Sequence, residues 1–159
     1  MPVLRRILIS RRVSRPLPDS TVLFMKRTLK ERKEMALRLR AEGYNCAQSV
    51  ILVFDDVTGI PAEVSARLTS GLGTGLACGE VCGVANAMAL VQGMTQSHEA
   101  KGKIASAKVS RALLTRFAGE NGGRLRCADL KGKGDARPCN ELVLQGVEIL
   151  HEYLDGEGK

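Results

Sequence analysis

The sequence predicts an all-α fold, a compact multi-helix bundle of about five to six helices with a glycine-rich turn. Three observations predict it. Apolar residues recur at intervals of three and four, strong helix formers fill the positions between them, and glycines stand at the joints. The 159 residues include no Trp, three Phe and two Tyr, so Leu, Val, Ala, Ile and Met must make the core. These side chains pack well between helices but offer no stacking platform for single-stranded nucleic acid, which argues against an RNA-binding sheet. A chain of this length can bury a core without staples.

Residues 26–42 are rich in helix formers, and Gly43 suits a left-handed stop. Asn45 stands three residues before Gln48, the spacing of a capping box, and Ala47, Val50, Ile51, Phe54 and Val57 follow at helical intervals. Cys46 then takes the first helical position. Gly59 ends this helix, and Pro61 opens another that runs to about residue 70. Gly71, Gly73, Gly75 and Gly79 form the glycine-rich turn, which delivers Cys82 into a helix over 80–92 dominated by small residues. A longer helix over 97–118 is expected to bury Ala105, Val109, Ala112, Leu113 and Phe117. Cys127 lies in a single turn over 125–130, and residues 131–134 read as a solvated linker. Pro138 begins the last helix, whose apolar face comprises Cys139, Leu142, Val143, Gly146, Val147, Leu150 and Leu154.

The net charge of +7 resembles a nucleic-acid signal until it is divided. Residues 1–24 hold five Arg and one Asp, giving +4, whereas the other 135 residues hold 19 basic and 16 acidic groups, giving +3. The segment 1–24 therefore reads as a basic, mobile N-terminal arm, with Met25 an alternative start of translation, and 25–159 as one helical four-cysteine redox domain. The arm lacks the apolar run and cleavage site of a signal peptide, and no stretch is long and apolar enough to span a membrane. The expectation is a cytoplasmic protein whose thiols stay reduced, consistent with an odd total of five cysteines. The basic helix over 26–40 reads as a solvated face, and the helix after the glycine turn is too apolar to read DNA bases. No Gly-Lys-Ser/Thr follows the glycines, so they form no phosphate loop. His98 and His151 stand on separate helices and read as surface or partly packed residues rather than ligands.

Cys46, Cys82, Cys127 and Cys139 carry most of the chemistry. No two form a C-x-x-C pair, so a shared site must be assembled by the fold. Three of them stand at predicted helix starts, where free N–H groups and the helix dipole favour thiolate, and Arg126 and Arg137 flank Cys127 and Cys139. The donor set suits iron–sulfur, zinc or dithiol chemistry.

With Tyr44-Asn45-Cys46-Ala47-Gln48-Ser49-Val50, the run Gly73 to Gly83 containing Gly79-Glu80-Val81-Cys82-Gly83, then Cys127-Ala128-Asp129-Leu130 and finally Cys139, the chain resembles the C-GCAxxG-C-C family of redox-active proteins over about residues 27–154. The resemblance implies a small helical domain for electron transfer or thiol redox work. Similar domains are fused to split-Soret multihaem cytochromes, where the cysteines are assigned to a 2Fe–2S cluster. By matching positions the ligands here are Cys46, Cys82, Cys127 and Cys139, and no haem-attachment C-x-x-C-H is present. The chain departs from the family after Cys82-Gly83, with Val84 and Ala87 where the pattern has Ala and Gly. Cys78 is an extra thiol, and a helix that already began there would put Cys78 and Cys82 on one face.

Three readings follow from the residues and the resemblance. The first is an iron–sulfur electron-transfer module serving an unknown redox partner. The second is a thiol–disulfide protein with Cys82 attacking and Cys78 or Cys46 resolving, and the third is structural zinc. Small residues at Ala85, Ala89 and Gly93 would allow two copies to pair closely as a homodimer.

Overall fold

Helix α1 (Leu29–Ala41) starts at a reciprocal cap: the Thr28 hydroxyl accepts from the Glu31 amide, and the Glu31 carboxylate accepts from the Thr28 amide. The structure, a computed structural model, describes residues 27–96, 99–131 and 138–156. The expected arm over 1–24, His98, Arg137 and most of the expected linker lie outside them. Gly43, at φ 97°, follows the end of α1. Asn45 then caps α2 (Cys46–Ile51) as predicted, accepting from the Gln48 amide at 2.9 Å while the Gln48 side chain accepts from the Asn45 amide at 2.9 Å.

The chain tightens into a 3₁₀ turn over Leu52–Phe54, continues as α3 (Asp55–Thr58) and stops at left-handed Gly59. After Pro61 come α4 (Ala62–Thr69), the glycine turn, α5 (Gly83–Met94), α6 (Lys103–Gly119), the single turn α7 (Cys127–Leu130) and α8 (Cys139–Asp155). With α2 and α3 taken as one bent body and α7 set aside, the described residues form six helical bodies and no strand. The all-α prediction holds.

Helix α5 is the centre, packed against α2, α6 and α8, while α1 lies across α8 and α2. Val84, Ala85, Ala87, Met88 and Val91 of α5 are fully buried. Each large apolar side chain removed from water this way contributes about 1.5–3 kcal/mol. The predicted face of α8 meets them, with Leu142, Val143, Gly146, Val147 and Leu150 buried. Val84, one of the departures from the family pattern, is accommodated by Gly146: a Cβ there would collide with Val84 Cγ1.

Four expectations need correction. Helix α5 begins at Gly83 rather than residue 80, because Glu80 is extended and Val81 forms a bridge with Arg126. Helix α6 begins at Lys103, and its inward stripe is rotated: Ala105 and Ala112 are exposed while Leu113 and Phe117 are buried. Its neighbour explains the rotation, since the buried Gln92 of α5 donates to the Ser110 hydroxyl at 2.6 Å and the Ser106 carbonyl at 3.4 Å. The basic face of α1 is not uniformly solvated, because Arg32 is fully buried, with its guanidinium 4.3 Å from the Phe54 ring centroid and paired to Asp56. Of the residues suited to pairing between copies, Ala85 is buried within its own bundle, whereas Ala89 and Gly93 are half-buried. Among the described residues no helix is long and apolar enough to cross a membrane.

Candidate functional site

Each cysteine reaches the site by its own route. Cys46 opens α2 behind Asn45, whose Nδ2 also donates to the Ser70 carbonyl at 2.9 Å and to the Thr69 carbonyl at 3.3 Å. The start of α2 is thereby tied to the end of α4 and the glycine turn. Within that turn Thr74, Gly75, Leu76 and Ala77 all adopt left-handed φ, between 53° and 61°. The chain then straightens so that Val81 pairs antiparallel with Arg126. The Cys82 amide donates to the Leu125 carbonyl at 2.8 Å and the Cys127 amide donates to the Glu80 carbonyl at 2.7 Å. This bridge lays the Cys82 and Cys127 segments side by side, with Cys82 capping α5 and Cys127 opening α7. Cys139 opens α8 after Pro138.

The four routes converge. Cys46, Cys82, Cys127 and Cys139 line one cavity of about 90 Å³, together with Arg40, Lys131 and the apolar side chains of Val84, Leu130 and Leu142. Cys46, Cys82 and Cys127 are buried and Cys139 is half-buried. Cys78 does not line the cavity. It is exposed in the glycine turn, its thiol 3.3 Å from the Gly75 carbonyl, and since α5 starts only at Gly83 it shares no helical face with Cys82.

Gly83 permits the convergence, because a Cβ there would sit 2.6 Å from Cys46 Sγ and 2.8 Å from the Leu72 carbonyl oxygen. Backbone and a buried thiol would both have to move. Gly83→Ala is therefore expected to cost roughly 1–3 kcal/mol by overpacking, measured by urea unfolding of the metal-free protein. An unchanged midpoint would show that the approach is not tight.

The electrostatics differ from the expectation of helix-activated thiolates. The Cys82 thiol is pushed up to about 11, chiefly by burial, although the Val84 and Ala85 amides at the start of α5 favour its thiolate and the neighbouring Cys46 and Cys127 oppose it. Burial also pushes Cys127 up, against the pull of Lys131. Arg126 gives Cys127 no such help because its guanidinium forks onto the Glu80 carboxylate at 2.8 and 3.2 Å. Desolvation of the anion outweighs the helix terminus.

A thiol raised in the folded state keeps its proton there after the unfolded chain has begun to release its own. Its contribution to stability is complete below the ordinary value of 9.0 and is lost as pH rises through about 11. The metal-free protein is expected to lose on the order of 2–3 kcal/mol between those limits, measured by chemical denaturation at stepped pH. Cys82→Ala should flatten the curve.

Four thiols around one cavity fit a soft metal centre in the kind of donor they offer. Among the described residues no three Cys, His, Asp or Glu side chains stand at metal-ligand spacing, so the thiols are gathered without being drawn into a coordination sphere. His151 has another role, its Nδ1 accepting from Arg32 Nε at 3.2 Å. In the sequence Arg40 falls within a basic helix and Lys131 within a linker. Nothing local marks either as a neighbour of thiols.

A family model described as "putative redox-active protein (C_GCAxxG_C_C)" matches residues 44–153, a span that contains all four cavity cysteines. The chain belongs to this family. Helix α1, with Arg32 and Arg40, precedes the matched residues. No curated protein and no solved structure matches the chain.

Proposed function

We propose that this member of the C_GCAxxG_C_C family is an electron-transfer module in which Cys46, Cys82, Cys127 and Cys139 hold an iron–sulfur cluster of the 2Fe–2S type. One observation carries the reading: four cysteines from four separate segments line a single cavity, and the fifth stays outside it. The cluster would supply one-electron chemistry, and the chain would supply thiolate ligands, the helix-terminus amides of Val84 and Ala85 near Cys82, and exclusion of water by Val84, Leu130 and Leu142. Burial keeps the Cys82 and Cys127 thiols protonated, and a soft metal would displace those protons. Cluster assembly is accordingly expected to release protons and to strengthen with rising pH. A reducing cytoplasm, where such thiols stay free, is part of the proposal.

The dithiol alternative draws less support from the geometry. A thiol raised to about 11 is thiolate to only about one part in ten thousand at neutral pH, which ill suits Cys82 to attack a disulfide. Of the two suggested resolving partners, Cys78 lies outside the cavity, whereas Cys46 lines it with Cys82.

The test is purification without oxygen, or reconstitution with ferrous iron and sulfide, followed by a visible spectrum and iron, sulfide and zinc analysis. Charge-transfer bands with iron and sulfide in equal amounts are expected. Stoichiometric zinc with no colour would replace the proposal with structural zinc, and a metal-free chain with one titratable disulfide would replace it with dithiol chemistry.

A further inference from the structure

Arg40 sits in the last turn of α1, outside the residues matched by the family, yet it lines the thiol cavity. Its Nη1 donates to the Tyr44 carbonyl at 2.7 Å and its Nε donates to Asn140 Oδ1 at 3.1 Å. Tyr44 lies two residues before Cys46, and Asn140 directly follows Cys139. One half-buried guanidinium thus holds two cysteine-bearing segments that are remote in sequence. Among the described residues no carboxylate pairs with it. Its charge is available to whatever anion the cavity holds.

We propose that Arg40 is the positioning residue of the thiol cavity, clamping the Cys46 and Cys139 segments together and supplying the positive charge that favours the more anionic state of the centre between them. The clamp follows from the two hydrogen bonds alone, and the electrostatic half rests on the cluster reading. Thiolates and sulfides outweigh the ferric charge of a 2Fe–2S centre, and reduction enlarges the excess, so a fixed cation at the wall favours the reduced form. Planarity matters to the clamp. A guanidinium can direct two N–H groups at separate acceptors in fixed directions, whereas a lysine ammonium is a point charge on a flexible stem.

Three variants separate the two halves: Arg40→Met removes clamp and charge, Arg40→Lys keeps the charge without the fork, and Asn140→Ala removes one arm of the clamp. In the metal-free chain, amide hydrogen exchange is expected to rise about tenfold in Arg40→Met at residues 44–48 and 139–142 together, because local opening at both places is held by the same side chain. Arg40→Lys should resemble it, and Asn140→Ala should loosen only 139–142. No change at either segment in Arg40→Met overturns the clamp, whether or not a cluster ever forms. In the reconstituted chain the midpoint potential should fall in Arg40→Met but stay near wild type in Arg40→Lys and Asn140→Ala. Equal potentials in Arg40→Met and wild type overturn the electrostatic role while leaving the cluster intact. Failure of the wild type itself to take up iron and sulfide removes the cluster reading and that role with it, and the exchange result still decides the clamp.

Discussion

Single replacement of Cys46, Cys82, Cys127 or Cys139 by Ser is expected to abolish stable uptake of iron and sulfide in the reconstituted chain, while Cys78→Ser keeps the colour and iron content of the wild type. The contrast follows from placement. The first four thiols line the cavity, and the Cys78 thiol is exposed beside the Gly75 carbonyl. A serine hydroxyl is a harder donor and does not ionise near neutral pH, so it is a much poorer ligand than a thiolate for a cluster iron. A buried serine left without a partner also costs about 1–3 kcal/mol, so loss of the cluster must be distinguished from loss of the fold. Cys→Ala at the same positions, with circular dichroism of the metal-free chain, makes that separation. Helicity should survive in the alanine series, because Cys46 and Cys82 are two small members of a core made mostly by the apolar side chains of α2, α5 and α8. Five variants that lose iron equally, or four cavity variants that retain it, would each remove the ligand assignment.

The convergence behind this prediction was legible only in part. Capping logic located Asn45 and therefore Cys46, and periodicity located the inward face of α8. Both signals are local, needing no knowledge of a partner. The bridge between Val81 and Arg126 is different, since it joins residues far apart in the chain and has no propensity signal on either side. Reading Cys82 as part of a helix from residue 80 follows from the small residues around it, but the left-handed run from Thr74 to Ala77 sends the chain through extended Glu80 first. Thr74, Leu76 and Ala77 each pay about 1–2 kcal/mol to be left-handed, a conformation that their side chains do not advertise. The direction of the thiol shifts failed for a related reason: helix starts are visible in sequence, whereas the burial that outweighs them at Cys82 is a property of the packed bundle. Arg40 was hidden for the same cause, as its acceptors on Tyr44 and Asn140 meet only after α1 and α8 pack.

Asp56→Asn is expected to destabilise the metal-free chain by about 3–5 kcal/mol, a large share of the roughly 5–15 kcal/mol that holds a domain of this size. Arg32 has no exposed side-chain surface, and Asp56 meets its two terminal nitrogens at 2.8 and 2.9 Å. The guanidinium also donates to the Val53 carbonyl and to His151, so α1, the bend before α3, and α8 meet on one side chain. Asparagine retains at most one of the two acceptors and leaves the arginine charge buried without its counterion. The neighbouring Asp55 provides the control. It pairs with Arg27 where both side chains are about a third exposed, so Asp55→Asn should cost no more than about 1 kcal/mol. A double replacement, Arg32→Met with Asp56→Leu, should recover much of the loss, because an apolar pair of similar volume carries no desolvation penalty. Urea midpoints at constant m-value measure all three. Equal costs for Asp55→Asn and Asp56→Asn would mean that water reaches Arg32 and that its pair with Asp56 does not fasten α1 to the bundle.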